Sequence, residues 1–150
     1  MEKALRKIRN GVYVITFYLD GKQYGITTAW VNRASFKPNT IMISIGKNRE
    51  GYKELLESEV FCVNIMGDHH LEVARHFGRT DGSTLNDFKD VIFKESEATG
   101  SPVLKDSVGV LDCRLVNKID SGDHAILVGE VVWGSEHEGD SMVFNREDFS

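Results

Sequence analysis

The sequence predicts a mainly β protein that folds as one antiparallel barrel with a few short helices. Its runs of β-branched and aromatic residues are typical of strands. Tight turns such as DGK (20–22) and SGDH (121–124) outnumber helical crossovers, which favours an antiparallel barrel over a doubly wound parallel sheet. With 150 residues, no internal repeat and no linker, residues 1–150 are expected to form a single domain.

The first half of the chain contains three predicted strands and two short helices. GVYVITFYL is β-branched and aromatic, and the DGK turn joins it to the next strand as a hairpin. Pro38 cannot donate a hydrogen bond within a sheet, so it marks a loop before TIMISI. The apolar pair Leu55 and Leu56 makes YKELLESE a predicted helix. These elements are a helix over 2–9, strands over 11–19, 23–31 and 40–45, a loop over 35–39, and a helix over 52–59.

The second half contains four predicted strands and one more predicted helix. Asp68 is a suitable cap for a helix in which Leu71, Ala74 and Phe77 recur at helical spacing, and Gly78 ends it. GVLDCRLVNKI alternates apolar with polar residues, and the SGDH turn leads from it into AILVGEVVW. These elements are a strand over 60–66, a helix over 69–77, an irregular polar loop over 78–87, strands over 109–119 and 125–133, and a short strand over 142–145.

Charge and composition exclude several functional classes. The net charge of −5, from 18 basic and 23 acidic residues, argues against nucleic acid or an anionic membrane as the main partner. No apolar run approaches the length of a membrane span, and MEKALRKIRNG lacks the apolar centre of a signal peptide, so a cytoplasmic location is expected. Cys62 and Cys113 lie in apolar runs without CxxC spacing and are expected to be free, buried thiols.

Four residues of the third predicted helix raise the alternative of a metal site. Glu72 and His76 are four residues apart and share a helix face, and His69 and His70 precede them. Zinc requires three or four converging ligands, and the HExxH motif is absent. We therefore predict no metal site and interpret these residues as part of an exposed helix.

The remaining polar segments fall at loop ends that a barrel can bring together. Threonine, lysine and arginine beside glycines suit a phosphate group, although GKNREG could equally be an ordinary charged surface loop. His124 follows a Gly-Asp turn, where a structural hydrogen bond is the alternative to a functional role. Trp30 could likewise be a core or interface residue. The segments are Thr27-Thr28, Ser35, Lys47-Asn48-Arg49, the loop after Phe77, and Gly122-Asp123-His124.

Five segments in order make the chain resemble the flavin reductase-like family of FMN-binding split barrels. They are GVYVIT, GITTAWVNRASFKP, LLESEVFCVNI, HFG with a glycine-containing loop and DF, and SGDHAILVGEVV. The resemblance covers nearly the whole chain, and the last segment is its most specific part. It implies a six-stranded antiparallel Greek-key split barrel that forms a homodimer, with FMN bound near the subunit interface.

The resemblance also implies roles for individual residues. The backbone of the segment Ile26 to Trp30 would line the isoalloxazine ring, and the loops over 47–51 and 77–82 would lie near the ribityl phosphate. His124 would lie beside the flavin and the nicotinamide and is the predicted catalytic residue. The predicted cofactor-binding residues are Ile26, Thr27, Thr28, Ala29, Trp30, Ser35, Lys47, Asn48, Arg49, Gly51, Phe77, Gly78, Arg79 and Gly82.

The chain departs from this family at the predicted phosphate end. Gly51 stands where many relatives have threonine, and Asp81 and Ser83 stand where a subgroup has serine and arginine. A carboxylate beside a phosphate is unfavourable unless it points away.

The activity implied is that of an NAD(P)H:flavin oxidoreductase. Hydride would pass from the reduced nicotinamide to flavin N5, with electrons going on to a free flavin or another acceptor; FMN is favoured over FAD. One alternative is a non-enzymatic FMN electron carrier that is reduced by a protein partner. Another is a ferric reductase. A purely structural or adaptor role would require that neither flavin nor nucleotide binds.

Overall fold

A computed structural model describes residues 1–149 of the chain. Nine strands, three short α-helices and two 3-10 turns follow one another in this part of the chain. The α-helices are α1 (Glu2–Leu5), α2 (Tyr52–Ser58) and α3 (Leu71–Phe77), and the 3-10 turns are Asp68–His70 and Arg146–Phe149. The strands are β1 (Tyr13–Leu19), β2 (Lys22–Thr28), β3 (Val31–Phe36), β4 (Asn39–Gly46), β5 (Val60–Ile65), β6 (Phe93–Glu95), β7 (Pro102–Leu104), β8 (Gly109–Ser121) and β9 (His124–Glu136).

The main sheet has seven strands in the order β2-β1-β5-β8-β9-β4-β3, and every pair is antiparallel. Its two edge strands, β2 and β3, are consecutive in the chain, and only Ala29 and Trp30 separate them. Consecutive Cα atoms lie about 3.8 Å apart, so this short link brings the opposite edges of the sheet together at one end. The sheet therefore curls into a barrel that stays open between β2 and β3.

One core fills the barrel, and strands from both ends of the sheet contribute to it. Ile26 of β2 and Ile43 of β4 pack with Phe17, Phe61 and Leu127 in the same buried cluster. Along β4, the buried isoleucines alternate with partly exposed residues, as expected for a strand with one face inside a barrel. The alternate positions of β4 and β9 therefore point outward and are free to form a site.

A second apolar cluster lies outside the barrel, beneath α3. Phe77 is fully buried there against Phe88, with ring centroids 4.9 Å apart. The Asn64 side chain of β5 satisfies buried backbone groups next to this layer, donating to the Val14 carbonyl oxygen at 3.1 Å and accepting from the Leu104 amide at 2.9 Å. These contacts fix α3, and the loop that follows it, against the outside of the sheet.

Several sequence predictions are confirmed, and others are corrected. The predicted strands over 11–19, 60–66, 109–119 and 125–133 correspond to β1, β5, β8 and β9, and α3 ends directly before Gly78. The sheet has seven strands rather than six, because residues 31–36 pair with β4 as an edge strand where a loop was expected over 35–39.

The predictions for the chain ends and for the region after α3 also need correction. The strand predicted over 142–145 is wrong: only one isolated bridge falls there, from Val143 to Gly11, and a second joins the preceding Ser141 to Gly67. The helix predicted over 2–9 has only four helical residues. The small sheet of β6 and β7 was not predicted at all.

The two cysteines are free and buried, as predicted. Cys113 packs in the barrel core, whereas Cys62 packs with Val103 and Val110 on the other face of the sheet. Burial, with a smaller contribution from Asp112, raises the pKa of the Cys113 thiol to about 12. Burial likewise raises the pKa of Cys62. Both thiols are therefore protonated and unreactive at neutral pH. No helix in the described chain is both long and apolar enough to cross a membrane.

Candidate functional site

Trp30 and His124 form a wall on the outer face of the barrel. Trp30 lies in the link between the sheet edges and is 53% exposed, an unusual position for a tryptophan with a purely structural role. Its ring rests on the imidazole of His124, the first residue of β9, with centroids 4.9 Å apart and planes tilted by 36°. The pair projects an aromatic edge beside strands β4 and β9.

A carboxylate holds the His124 ring in place. His124 Nδ1 lies 2.7 Å from Asp123 Oδ1, and because a carboxylate can only accept, Nδ1 is the donor. This hydrogen bond lowers the pKa of the Asp123 carboxyl. Nε2 faces the bare backbone of Gly46, where an added Cβ would lie 3.8 Å from it. The ring therefore presents Nε2 to the adjacent cavity.

Two cavities adjoin at this wall. The first has a volume of about 180 Å³ and the second about 330 Å³. Ser44 and Ile126 of the first, and Gly46 and His124 of the second, are successive outward positions of paired strands, so one groove runs along β4 and β9. The first cavity is lined by Asn10, Trp30, Val31, Asn32, Met42, Ser44 and Ile126, and the second by Gly46, Asn48, Arg49, Thr80, Asp123 and His124.

The second cavity has a basic end, formed by the loop between β4 and α2. Lys47 is tied to the opposite hairpin, because its amide donates to the Asp123 carbonyl oxygen at 2.9 Å and its Nζ lies 3.3 Å from Asp120 Oδ1. Arg49 is partly buried, and desolvation lowers the pKa of its guanidinium. Its Nη2 donates to the Phe77 carbonyl oxygen at 3.4 Å, and it forms no ion pair with a carboxylate of residues 1–149. An anion in the cavity would offset that desolvation.

Gly51 adopts a backbone conformation that favours glycine. It is the N-cap residue of α2 with φ of +92°, in the left-handed region, and an added Cβ would lie 2.8 Å from Cδ1 of both Ile26 and Leu85. A threonine at this position would therefore be strained. Any hydroxyl contact with a ligand at this end must come from another residue.

The loop after α3 forms the far wall of the second cavity. Thr80 lines the cavity, and Asp81 beside it accepts from Arg79 at 3.3 Å and from the Ser83 amide at 2.9 Å. Gly82 has φ of +75° and packs against the side chain of Glu50. The loop and the β4–α2 segment therefore meet at the basic end.

The side chains of several residues predicted from the sequence to bind the cofactor make contacts within the fold. Ile26 is buried in the barrel core. The Thr27 hydroxyl donates to the Ala74 carbonyl oxygen at 2.7 Å and so holds α3 against β2. The Phe77 ring is buried beneath α3, although its carbonyl oxygen contacts Arg49. Ser35 donates to the Pro38 carbonyl oxygen in the turn between β3 and β4, and it lines neither cavity.

The other predicted residues lie at or near the groove. Trp30, Asn48, Arg49 and His124 line it directly. Thr28 Oγ1 accepts from the Trp30 amide at 3.4 Å and so supports the link of Ala29 and Trp30. The remaining members of the predicted set lie in the loops that precede α2 and follow α3, and none of them lines either cavity: Lys47, Gly51, Gly78, Arg79 and Gly82.

Sequence reasoning missed the residues that form the floor of the groove. Ser44 and Gly46 look like ordinary strand positions, and only the pairing of β4 with β9 places them beside Ile126 and His124. The available signal was the alternation in TIMISIG, where small residues occupy every outward position after Met42.

The histidines of the third predicted helix make local contacts. Within residues 1–149, no group of three or more His, Cys, Asp or Glu side chains is arranged to hold a metal ion. His70 Nδ1 accepts from the Gly67 amide at 2.9 Å, and its ring lies against that of His69. His76 Nε2 lies 2.7 Å from the Asp87 carbonyl oxygen.

Known sequences similar to this chain include a flavin reductase and several diflavin flavoproteins. The chain is 34% identical over 127 residues to the flavin reductase (NADH) of Kitasatospora aureofaciens, covering 83% of this chain and 64% of that protein. It is 26% identical over 150 residues to diflavin flavoprotein A 1 of Synechocystis sp., covering 98% of this chain. It spans only about a quarter, 26%, of that longer relative.

Solved structures share the fold. The flavin reductase PheA2 is 30% identical, with a TM-score of 0.84, covering 95% of this chain and 90% of that one. The NADH:FAD oxidoreductase SgcE6 of Streptomyces globisporus, at 24% identity and a TM-score of 0.88, covers 95% of this chain and 86% of its own and supports the fold alone. A family model described as flavin reductase like domain matches residues 5–150. The chain belongs to the flavin reductase-like domain family.

Proposed function

We propose that this chain is an NAD(P)H-dependent flavin reductase that binds FMN in the groove along β4 and β9. The observation that carries the proposal is the junction of the two cavities at the Trp30–His124 wall, with the half-buried Arg49 at one end. Family membership supports it, as does the NADH-dependent flavin reductase among the relatives.

The donor set of the groove fits a flavin. The link of Ala29 and Trp30 places an exposed aromatic ring beside the groove, which suits the apolar face of a planar ring system. Arg49 and Asn48 line the end of the groove where the phosphate of FMN would lie. When bound, the flavin supplies the hydride-accepting chemistry.

The protein's own contribution is to position the two reactants. Trp30 and His124 would limit where a nicotinamide ring can stack, and His124 Nε2 would hold its carboxamide while Asp123 fixes the imidazole. No strong base is required at the site, because the transferred group is a hydride and carries its own electron pair. His124 is therefore proposed to orient the nicotinamide rather than to remove a proton.

An anaerobic absorbance experiment tests the proposal. The purified chain is titrated with FMN and then mixed with NADH or NADPH, with free FMN at the same concentration as the control. Binding followed by bleaching much faster than in the control is the expected result. A protein that does not bind FMN, or that binds it without acceleration by either nucleotide, would contradict a reductase function.

The diflavin relative favours one alternative, a flavin-bearing electron carrier reduced by a protein partner. Its similarity extends over 98% of this chain, yet the shared region is only 26% of the longer protein. In that case the bound flavin would bleach with a reducing partner protein but not with NAD(P)H. A ferric reductase would be distinguished by comparing ferric iron with free flavin as acceptors at fixed NAD(P)H.

We also propose that the chain forms a homodimer. Large apolar side chains are exposed on β3, β8 and β9, including Phe36 at 74% and Trp133 at 42%. Such exposure is typical of an interface. Sedimentation at micromolar concentration is expected to give twice the mass of the 16.9 kDa chain. A monomer under these conditions would contradict the proposal.

A further inference from the structure

We propose that Asp81 occupies the anion-binding position of the loop after α3, so that the site selects flavins by ring and ribityl chain rather than by phosphate. The consequence is a substrate class: riboflavin should bind about as well as FMN. The inference rests on the proposed flavin binding. It follows from the contacts of one loop and from the balance of charge around the second cavity.

The Asp81 carboxylate uses the groups that would otherwise attract a phosphate. Its Oδ1 accepts from the backbone amide of Ser83 at 2.9 Å, and its Oδ2 accepts from Arg79 Nη2 at 3.3 Å. An amide of a glycine-containing loop and a nearby guanidinium are the usual ligands of a phosphate group. Hydrogen bonds from Ser83, and then from Arg79, lower the pKa of Asp81 to about 2, so it is ionised at neutral pH.

This loop belongs to the wall of the cavity. Thr80, between Arg79 and Asp81 in the chain, lines the cavity together with Asn48 and Arg49. Gly82 packs against Glu50, so the loop touches the segment that carries Arg49. A phosphate at this end would meet Arg49 in the cavity, while Arg79 in the adjoining loop is already held by Asp81.

The remaining charges at this end largely cancel. Lys47 pairs with Asp120 at 3.3 Å, and Arg79 pairs with Asp81. Among residues 1–149, Arg49 is the cation of this cavity that lacks a carboxylate partner. The Asp123 carboxylate lines the same cavity as Arg49, so a phosphate there gains little net attraction. The affinity for a flavin must therefore come mainly from its ring and ribityl chain.

The test compares FMN with riboflavin, two ligands that differ only in the phosphate. Quenching of flavin fluorescence gives the Kd of each for the intact chain and for Asp81→Asn. The asparagine keeps an oxygen for the Ser83 amide but removes the charge and frees Arg79. We expect the two ligands to bind the intact chain within about threefold of each other, and Asp81→Asn to tighten FMN about three- to tenfold with riboflavin unchanged.

Two further variants identify the cause of the gain. Asp90→Asn removes an equal charge from an exposed residue outside the loop and should leave both Kd values unchanged. Adding Arg79→Ala to Asp81→Asn should remove most of the gain in FMN affinity, because that gain is attributed to the freed Arg79. The gain in FMN affinity should also shrink at higher salt, because the contact between Arg79 and the phosphate would be exposed to solvent.

The outcomes separate this inference from the proposed function. If neither flavin binds the intact chain, the proposed function fails and the inference falls with it. If both bind but FMN is already more than about thirtyfold tighter than riboflavin, or Asp81→Asn leaves their ratio unchanged, the inference alone is wrong. Equal binding of both by the intact chain, with a gain for FMN alone in Asp81→Asn, supports it.

Discussion

Replacing His124 with alanine is expected to slow NAD(P)H oxidation about ten- to hundredfold while changing FMN affinity no more than about threefold. The imidazole lies against Trp30 with centroids 4.9 Å apart, and Asp123 fixes its orientation through a 2.7 Å hydrogen bond. Without it, the nicotinamide loses one wall and the Nε2 contact. The basic end at Arg49 and the backbone of Ala29 and Trp30 remain, so flavin binding should persist.

Stopped-flow measurement of single-turnover reduction separates this effect from binding. His137→Ala is the matched control, because His137 is also a histidine but is exposed and lines neither cavity. Asp123→Asn should slow flavin reduction less than His124→Ala does, since the imidazole ring stays but its orientation is less fixed. Unchanged reduction in His124→Ala with intact FMN binding would reject the positioning role of His124.

The sequence was most informative where one face of an element is buried. The strands β1, β5, β8 and β9 contribute buried residues, and their β-branched, aromatic and alternating patterns predicted them. β3 was missed because Asn32, Arg33 and Ala34 are exposed, which leaves no buried face to produce a pattern. It is a strand because β4 offers it hydrogen bonds, and that is a property of the neighbouring strand.

The site could be predicted only in part, for a related reason. Trp30 and His124 stand out in the sequence because an aromatic residue and a histidine beside turns are unusual. Whether the Thr27 hydroxyl faces a ligand or the Ala74 carbonyl oxygen depends on where α3 packs, and local sequence does not encode that position. The register of β4 against β9, which places Gly46 beside His124, is likewise set by the whole barrel.

Replacing Gly25 with alanine is expected to lower the free energy of unfolding by about 2–3 kcal/mol, because the site is already filled. An added Cβ would lie 2.6 Å from Cδ1 and Cε1 of the buried Phe77 ring. The Gly25 amide also donates to the Leu85 carbonyl oxygen at 3.0 Å, so the strand cannot move away without losing that bond. Thermal unfolding should show a melting temperature lower by roughly 5–10 °C.

Gly46→Ala is the control for the general cost of replacing a strand glycine, since its Cβ would meet only His124, at 3.8 Å. We expect it to change the free energy of unfolding by less than about 0.5 kcal/mol. If the clash with Phe77 causes the loss, the double variant Gly25→Ala/Phe77→Leu should lose less unfolding free energy than the two single variants lose together. Strict additivity would show that Gly25 is required for another reason.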